Sequence, residues 1–125
     1  MSTRKILVVD DEPLILNMLS DALSRVGYSA YLASNADEAL GILKKEPIPL
    51  MIIDLGLESI NGFELCKNIR KDNPEAIIYA LSGYTGFYNP QKFLKAGFNG
   101  IFDKPIIIND LYQVVKDSFE KLSCK

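Results

Sequence analysis

The sequence predicts an α/β domain of the doubly wound kind, a five-stranded parallel sheet covered by helices on both faces in three α/β/α layers. Three observations predict it. Short apolar runs alternate strictly with amphipathic stretches, five times along the chain, and that alternation marks a parallel sheet joined by right-handed crossovers. The apolar runs are continuous rather than interrupted at every second residue, as strands buried on both faces are. The length, 125 residues, suits a single core, so residues 1–125 are read as one domain.

Each element has its own signal. Residues 5–9 read as a buried strand. Pro13 suits the first turn of the next helix, with Ile15, Leu19, Ala22, Leu23 and Val26 at helical spacing and Gly27 as its stop. Residues 28–33 form a weaker second strand. Asn35 reads as an N-cap, and Ala36, Ala39, Leu40 and Leu43 line one helix face. Pro47 and Pro49 break the chain before the third strand, 50–53, which delivers Asp54. A loop leads to a helix over 63–71 with Leu65, Cys66 and Ile69 inward. Asn73-Pro74 turns into the fourth strand, 76–81, ending at Ser82. Asn89-Pro90 starts a helix that stops near Gly97. The fifth strand lies within 99–103, followed by Lys104-Pro105. The last helix carries Leu111, Val114, Val115, Ser118 and Leu122 on one face.

Composition narrows the function. Apolar residues make up 48 % and charged residues 24 %, an ordinary globular balance. With 14 Lys plus Arg against 16 Asp plus Glu, the net charge is -2, so no basic excess argues for direct nucleic-acid binding. No apolar run approaches a membrane span, and the run after Lys5 is too short for a signal peptide, so a cytoplasmic protein is expected. The chain has no His and two Cys, Cys66 and Cys124, which excludes a His-based triad and a zinc site. Both thiols are expected reduced, Cys66 packed and Cys124 exposed.

Ligands of a parallel α/β sheet bind beyond the carboxyl ends of its strands. Strand one ends in Asp10-Asp11, strand three in Asp54, strand four in Ser82 and strand five in Asp103-Lys104-Pro105. Asp10, Asp11 and Asp54 crowded together repel, by about 3 kcal/mol per pair at about 5 Å and an effective dielectric near 20. A cation must offset this, or one acid must take up a proton, and oxygen-only ligands favour Mg²⁺ or Mn²⁺. A carboxylate beside a divalent cation, a hydroxyl and a Lys is suited to taking up a phosphoryl group covalently. Singly, a strand-end Asp, Ser82 or Lys104 is an ordinary turn or surface residue. The combination in this strand order is what is specific.

With these motifs in view, the chain resembles the receiver domains of bacterial response regulators, the phosphorylation switches of two-component signalling. The resemblance covers residues 6–122. It rests on Ile6-Leu7-Val8-Val9-Asp10-Asp11-Glu12, Met51-Ile52-Ile53-Asp54 with Asn61-Gly62, Leu81-Ser82-Gly83, Lys95-Ala96-Gly97 and Asp103-Lys104-Pro105. It implies a flavodoxin-like strand order 2-1-3-4-5. It implies that Asp54 is the phosphoacceptor and Asp10 and Asp11 the metal-binding pair, Asp11 the preferred direct ligand. Gly56 would offer a backbone carbonyl to the metal, Ser82 would be the switch hydroxyl, and Lys104 would contact the phosphoryl group. Pro105 is a candidate for a cis peptide bond. The implied partner is a sensor histidine kinase or phosphotransfer protein. A downstream protein or a second copy would read the face of the fourth helix, fifth strand and fifth helix. On this reading the chain is a signalling phosphoacceptor, not an enzyme, and hydrolysis of the aspartyl phosphate resets it.

Three departures from the family pattern stand out. Leu57-Glu58 replaces a usual Met-Pro pair, which loosens the loop and adds negative charge. The usual aromatic switch position holds Ile101, while Phe102 should point to the other face by strand alternation; this puts the usual hydroxyl-to-aromatic coupling in question. The loop 84–88 is aromatic and flanked by glycines, so it reads either as locally packed rings or as a docking or cover loop. Two other readings stay open: a phosphate-independent interaction module with this fold, and an aspartyl-nucleophile phosphatase. The phosphatase is disfavoured because its Asp-x-Asp motif is replaced by adjacent Asp10-Asp11. An FMN site is disfavoured because the first strand ends in acids.

Overall fold

The central strands β1, β3 and β4 bury side chains on both faces of the sheet, and the two faces build separate cores. The structure, a computed structural model, describes residues 4–57, 61–83 and 89–123. Glu58, the loop 84–88 and Cys124, to which the sequence reading gave roles, lie outside the described residues. The order is β1 (Lys5–Val9), α1 (Pro13–Arg25), β2 (Ser29–Ala33), α2 (Ala36–Lys45), β3 (Leu50–Asp54), α3 (Gly62–Asp72), β4 (Ile77–Ser82), α4 (Pro90–Ala96), β5 (Gly100–Asp103) and α5 (Ile108–Ser123). The strands form one parallel sheet in the order β2-β1-β3-β4-β5, as expected.

Strand side chains point alternately up and down. Leu7, Val9, Met51, Ile53, Ile78 and Ala80 therefore meet α2, α3 and α4 on one face, through Ala39, Leu65, Cys66, Ile69 and Ala96. Ile6, Val8, Leu50 and Ile52 meet α1 and α5 on the other, through Leu19, Leu23, Leu111 and Val115. This is the three-layer arrangement.

Local chemistry sets the helix ends. Asn35, Asn61 and Asn89 each accept a backbone N–H, from Glu38, Glu64 and Gln91 at 2.8, 3.0 and 2.9 Å, so each caps its helix. Gly97 closes α4 at φ +101°, a left-handed conformation that disfavours any side chain. One expectation is corrected on α1. The buried stripe runs through Leu16, Leu19, Ala22 and Leu23, and Val26 is exposed. Val26 is the C-cap, where the backbone has already left the helix, so the spacing no longer carries it inward. No helix among the described residues is long and apolar enough to cross a membrane.

Candidate metal and phosphoacceptor site

The parallel arrangement puts the last residue of β3 and β4, and the residues just after β1 and β5, on one rim of the sheet. Asp10 follows β1 directly and is fully buried. Its backbone N–H donates to the Ala33 carbonyl at 3.0 Å, which extends the strand pairing and fixes its direction. Its Oδ1 accepts the backbone N–H of Glu12 at 2.9 Å. Asp54 is the last residue of β3, and its Oδ1 accepts the Gly56 N–H at 3.2 Å. Lys104 is delivered by β5, and its backbone N–H donates to the Ser82 carbonyl at 2.9 Å. The Lys104–Pro105 peptide bond is cis.

The five expected side chains converge. One oxygen each from Asp10, Asp11 and Asp54 lies within 4.8 Å of the others. A cleft of 390 Å³ is lined by Asp11, Glu12, Asp54, Gly56, Ser82, Gly83 and Lys104. Larger clefts exist among the described residues, one of 740 Å³ between Pro49, Pro74 and Leu122. Size does not decide here, because this smaller cleft joins a buried hydroxyl, Ser82, to a lysine 3.4 Å from Asp54 and to the clustered carboxylates of Asp10, Asp11 and Asp54.

Lys104 Nζ lies 3.3 Å from Asp10 Oδ2, 3.4 Å from Asp54 Oδ1 and 3.4 Å from Glu12 Oε1. Its approach to Asp10 is close enough for Coulomb attraction, but Asp10 Oδ2 remains buried with no hydrogen-bond partner among the described residues. Burial raises the Asp10 pKa most; the Asp54 charge adds to the rise, while the Glu12 N–H and Lys104 oppose it. Burial is also the largest single effect on Lys104 and pulls its pKa down. The charges of Asp54 and Asp10, with the close contacts to Asp10 and Glu12, together outweigh burial and leave it raised. Lys104 therefore remains a cation, yet it is one ammonium among four carboxylates. An oxygen-only donor set, an excess of negative charge and an orphaned buried oxygen fit a hard divalent cation such as Mg²⁺ or Mn²⁺.

Ile101 and Phe102 divide as strand alternation requires. Ile101 is partly exposed, whereas Phe102 is buried with its ring 5.2 Å from that of Tyr79. Two residues had no role in the sequence reading. Glu12 appeared there only within the acidic run, yet it reaches Lys104. Gly62 stands so close to the end of β3 that a Cβ there would lie 2.6 Å from the Asp54 carbonyl oxygen and 2.8 Å from Leu55 Cα. A glycine at a helix start gives no signal of such proximity in sequence.

Comparison with known proteins identifies the family. The family model described as the response regulator receiver domain matches residues 6–116. Similar curated proteins include the transcriptional regulatory protein GlrR of Escherichia coli, 29 % identical over 93 % of this chain and 26 % of that protein. The response regulator protein PilR of Pseudomonas aeruginosa is 31 % identical over 92 % of this chain and 26 % of its own length. The chain thus spans about a quarter of the length of these relatives. Among solved structures, a CheY-like receiver domain protein from Methanospirillum hungatei superimposes with a TM-score of 0.90 at 29 % identity, covering 96 % of both chains. The chemotaxis regulator CheY4 of Vibrio cholerae gives 0.86 at 27 % identity, covering 94 % of this chain and 99 % of its own. A family match over residues 6–116 and a fold that superimposes on solved receiver domains lead to one conclusion: this chain belongs to the response regulator receiver domain family.

Proposed function

We propose that this receiver accepts a phosphoryl group on Asp54 from a histidine kinase or phosphotransfer protein and passes the change to its α4/β5/α5 face. The carrying observation is the position of Asp54 Oδ1, 3.4 Å from Lys104 Nζ and within 4.8 Å of oxygens on Asp10 and Asp11. An Asp54 carboxylate oxygen attacks phosphorus, and the donor's bond to phosphorus breaks as its electron pair leaves with the donor. Bound Mg²⁺ or Mn²⁺, held by Asp10, Asp11, Asp54 and the Gly56 carbonyl, would supply charge opposite the phosphoryl oxygens. Lys104 donates to one of those oxygens as a compact cation. Ser82, buried in the cleft wall, offers a hydroxyl to another. Positioning and electrostatics do most of this chemistry.

Output follows from the bias such contacts impose on an existing equilibrium. The face it would change carries exposed Leu94, Ile101 and Ile107, the apolar contacts for a downstream protein or a second copy. With Ile101 at the usual aromatic position and Phe102 facing the core, coupling from Ser82 would not run through an aromatic swing. The test is labelling by acetyl phosphate, or capture of beryllofluoride, in the presence of Mg²⁺. Wild type should be modified and Asp54→Asn should not. A folded wild type that takes no label would instead favour a phosphate-independent interaction module, and turnover of small phosphate esters would favour a phosphatase.

A further inference from the structure

Glu12 is the N-cap residue of α1, but its side chain makes no capping bond to that helix, whose N1 is Pro13. Its Oε1 instead lies 3.4 Å from Lys104 Nζ. Lys104 is thereby shared by three carboxylates. Two of them, Asp10 and Asp54, are buried and held by backbone N–H groups. Glu12 is the third, and its side chain is 61 % exposed, so it can swing to water at little cost. We infer that Glu12 is a positioning residue for Lys104: it holds the ammonium at the outer edge of the cleft and must release it for phosphoryl transfer to Asp54. This rests on the phosphoacceptor reading of Asp54.

The physical argument is competition for one cation. During transfer an Asp54 oxygen forms a bond to phosphorus, the phosphorus–oxygen bond to the donor breaks, and the donor leaves with the electron pair. Lys104 must then face a phosphoryl oxygen. Its contact with Asp10 is compatible with that, because Asp10 lies behind it at the buried wall. Its contact with Glu12 is not, because Glu12 draws it toward solvent and places a further negative charge beside the incoming anion. The exposed acid therefore slows entry of the phosphoryl group, and the same residue would recapture Lys104 once the phosphate is lost.

The experiment uses the full chain, Mg²⁺ and acetyl phosphate. Glu12→Gln should label about two- to five-fold faster than wild type, the range that releasing an exposed ion pair gives. Glu12→Asp, with a shorter reach and the charge kept, should fall between them. A second readout asks whether Lys104 itself responds to the loss of Glu12. The Lys104 side-chain ammonium signal in a ¹H–¹⁵N spectrum, assigned by its loss in Lys104→Met, should shift in Glu12→Gln. Unchanged labelling in Glu12→Gln, or an unmoved Lys104 signal beside a faster rate, overturns the inference. A wild type that takes no label at all would count against the phosphoacceptor reading instead, so the two failures are distinguishable.

Discussion

At the scale of single residues, the site was legible where a functional group ends an apolar run. Asp54, Ser82 and Asp10 each sit at such an end, and parallel strands must bring those ends to one rim. Gly62 was not legible, because its requirement comes from a neighbouring strand rather than from its own helix. Gly62→Ala should force the α3 start away from the Asp54 carbonyl and destabilise the domain by about 1–3 kcal/mol, as overpacking does; urea unfolding would measure it. Glu12 escaped notice for a similar reason, since its reach depends on how α1 leaves the sheet. Cys66 behaves as expected of a packed thiol: it is buried, and burial pushes its pKa up to about 11. A thiol whose folded pKa exceeds its unfolded one favours the native state at low pH. That stability contribution should therefore persist below the ordinary thiol pKa of about 9 and decline as pH rises toward 11. Iodoacetamide, followed by peptide mapping, should leave Cys66 unmodified at pH 8 until the chain unfolds, and rapid native labelling would contradict its packing.

Elements were easier to locate than the ties between them. Asn caps, Pro at helix starts and Gly at helix ends act within a few residues, so periodicity and punctuation placed nearly every boundary. Arg70 acts across the fold and was invisible to that reading. From the last turn of α3 its Nε and Nη2 donate to the Gly97 carbonyl at 2.9 and 2.7 Å, and Nη2 also reaches Asn99 Oδ1 at 2.7 Å. Its Nη1 donates to the carbonyls of Asn73, Pro74 and Ala76. The guanidinium thus joins the end of α3, the entry to β4 and the C-cap of α4, using its fixed fork of donors. Arg70→Met keeps much of the stem but orphans these carbonyls, and should cost about 2–3 kcal/mol. Arg70→Lys should recover only part, since a single ammonium cannot serve carbonyls on three segments. Thermal melts of the two variants would separate lost charge from lost geometry. Near this tie, Phe63, Phe93 and Phe98 pack with ring centroids 5.2–6.2 Å apart, so α4 rests on an aromatic patch contributed partly by α3.

For the whole molecule, strict alternation was enough to predict a parallel three-layer fold, but not the order of its strands. Right-handed crossovers allow several orders, and only the family resemblance selected the one observed. The acidic rim also has a global consequence for stability. A cation that binds the folded rim and not the unfolded chain adds stability by mass action, about 2.7 kcal/mol at a hundredfold excess over its Kd. Mg²⁺ should therefore raise the melting temperature of the full chain, and Asp11→Ala should abolish most of that rise. Titration calorimetry would give the affinity directly, and an absence of both heat and thermal shift would remove the metal from the scheme.

The two cores also bear on how β3 keeps its alignment. Sliding this strand by one residue would merely exchange Leu50 and Ile52 with Met51 and Ile53, since both sets are oily and fully covered. In a half-wet strand such a slip would thrust apolar groups into water; here water raises no comparable objection. What the slip would forfeit is Asp54, turned away from its partners on the rim. Fit between side-chain shapes, rather than oiliness, must therefore hold the strand in step, and even a mild reshaping of Met51 or Ile52 should be felt first at Asp54.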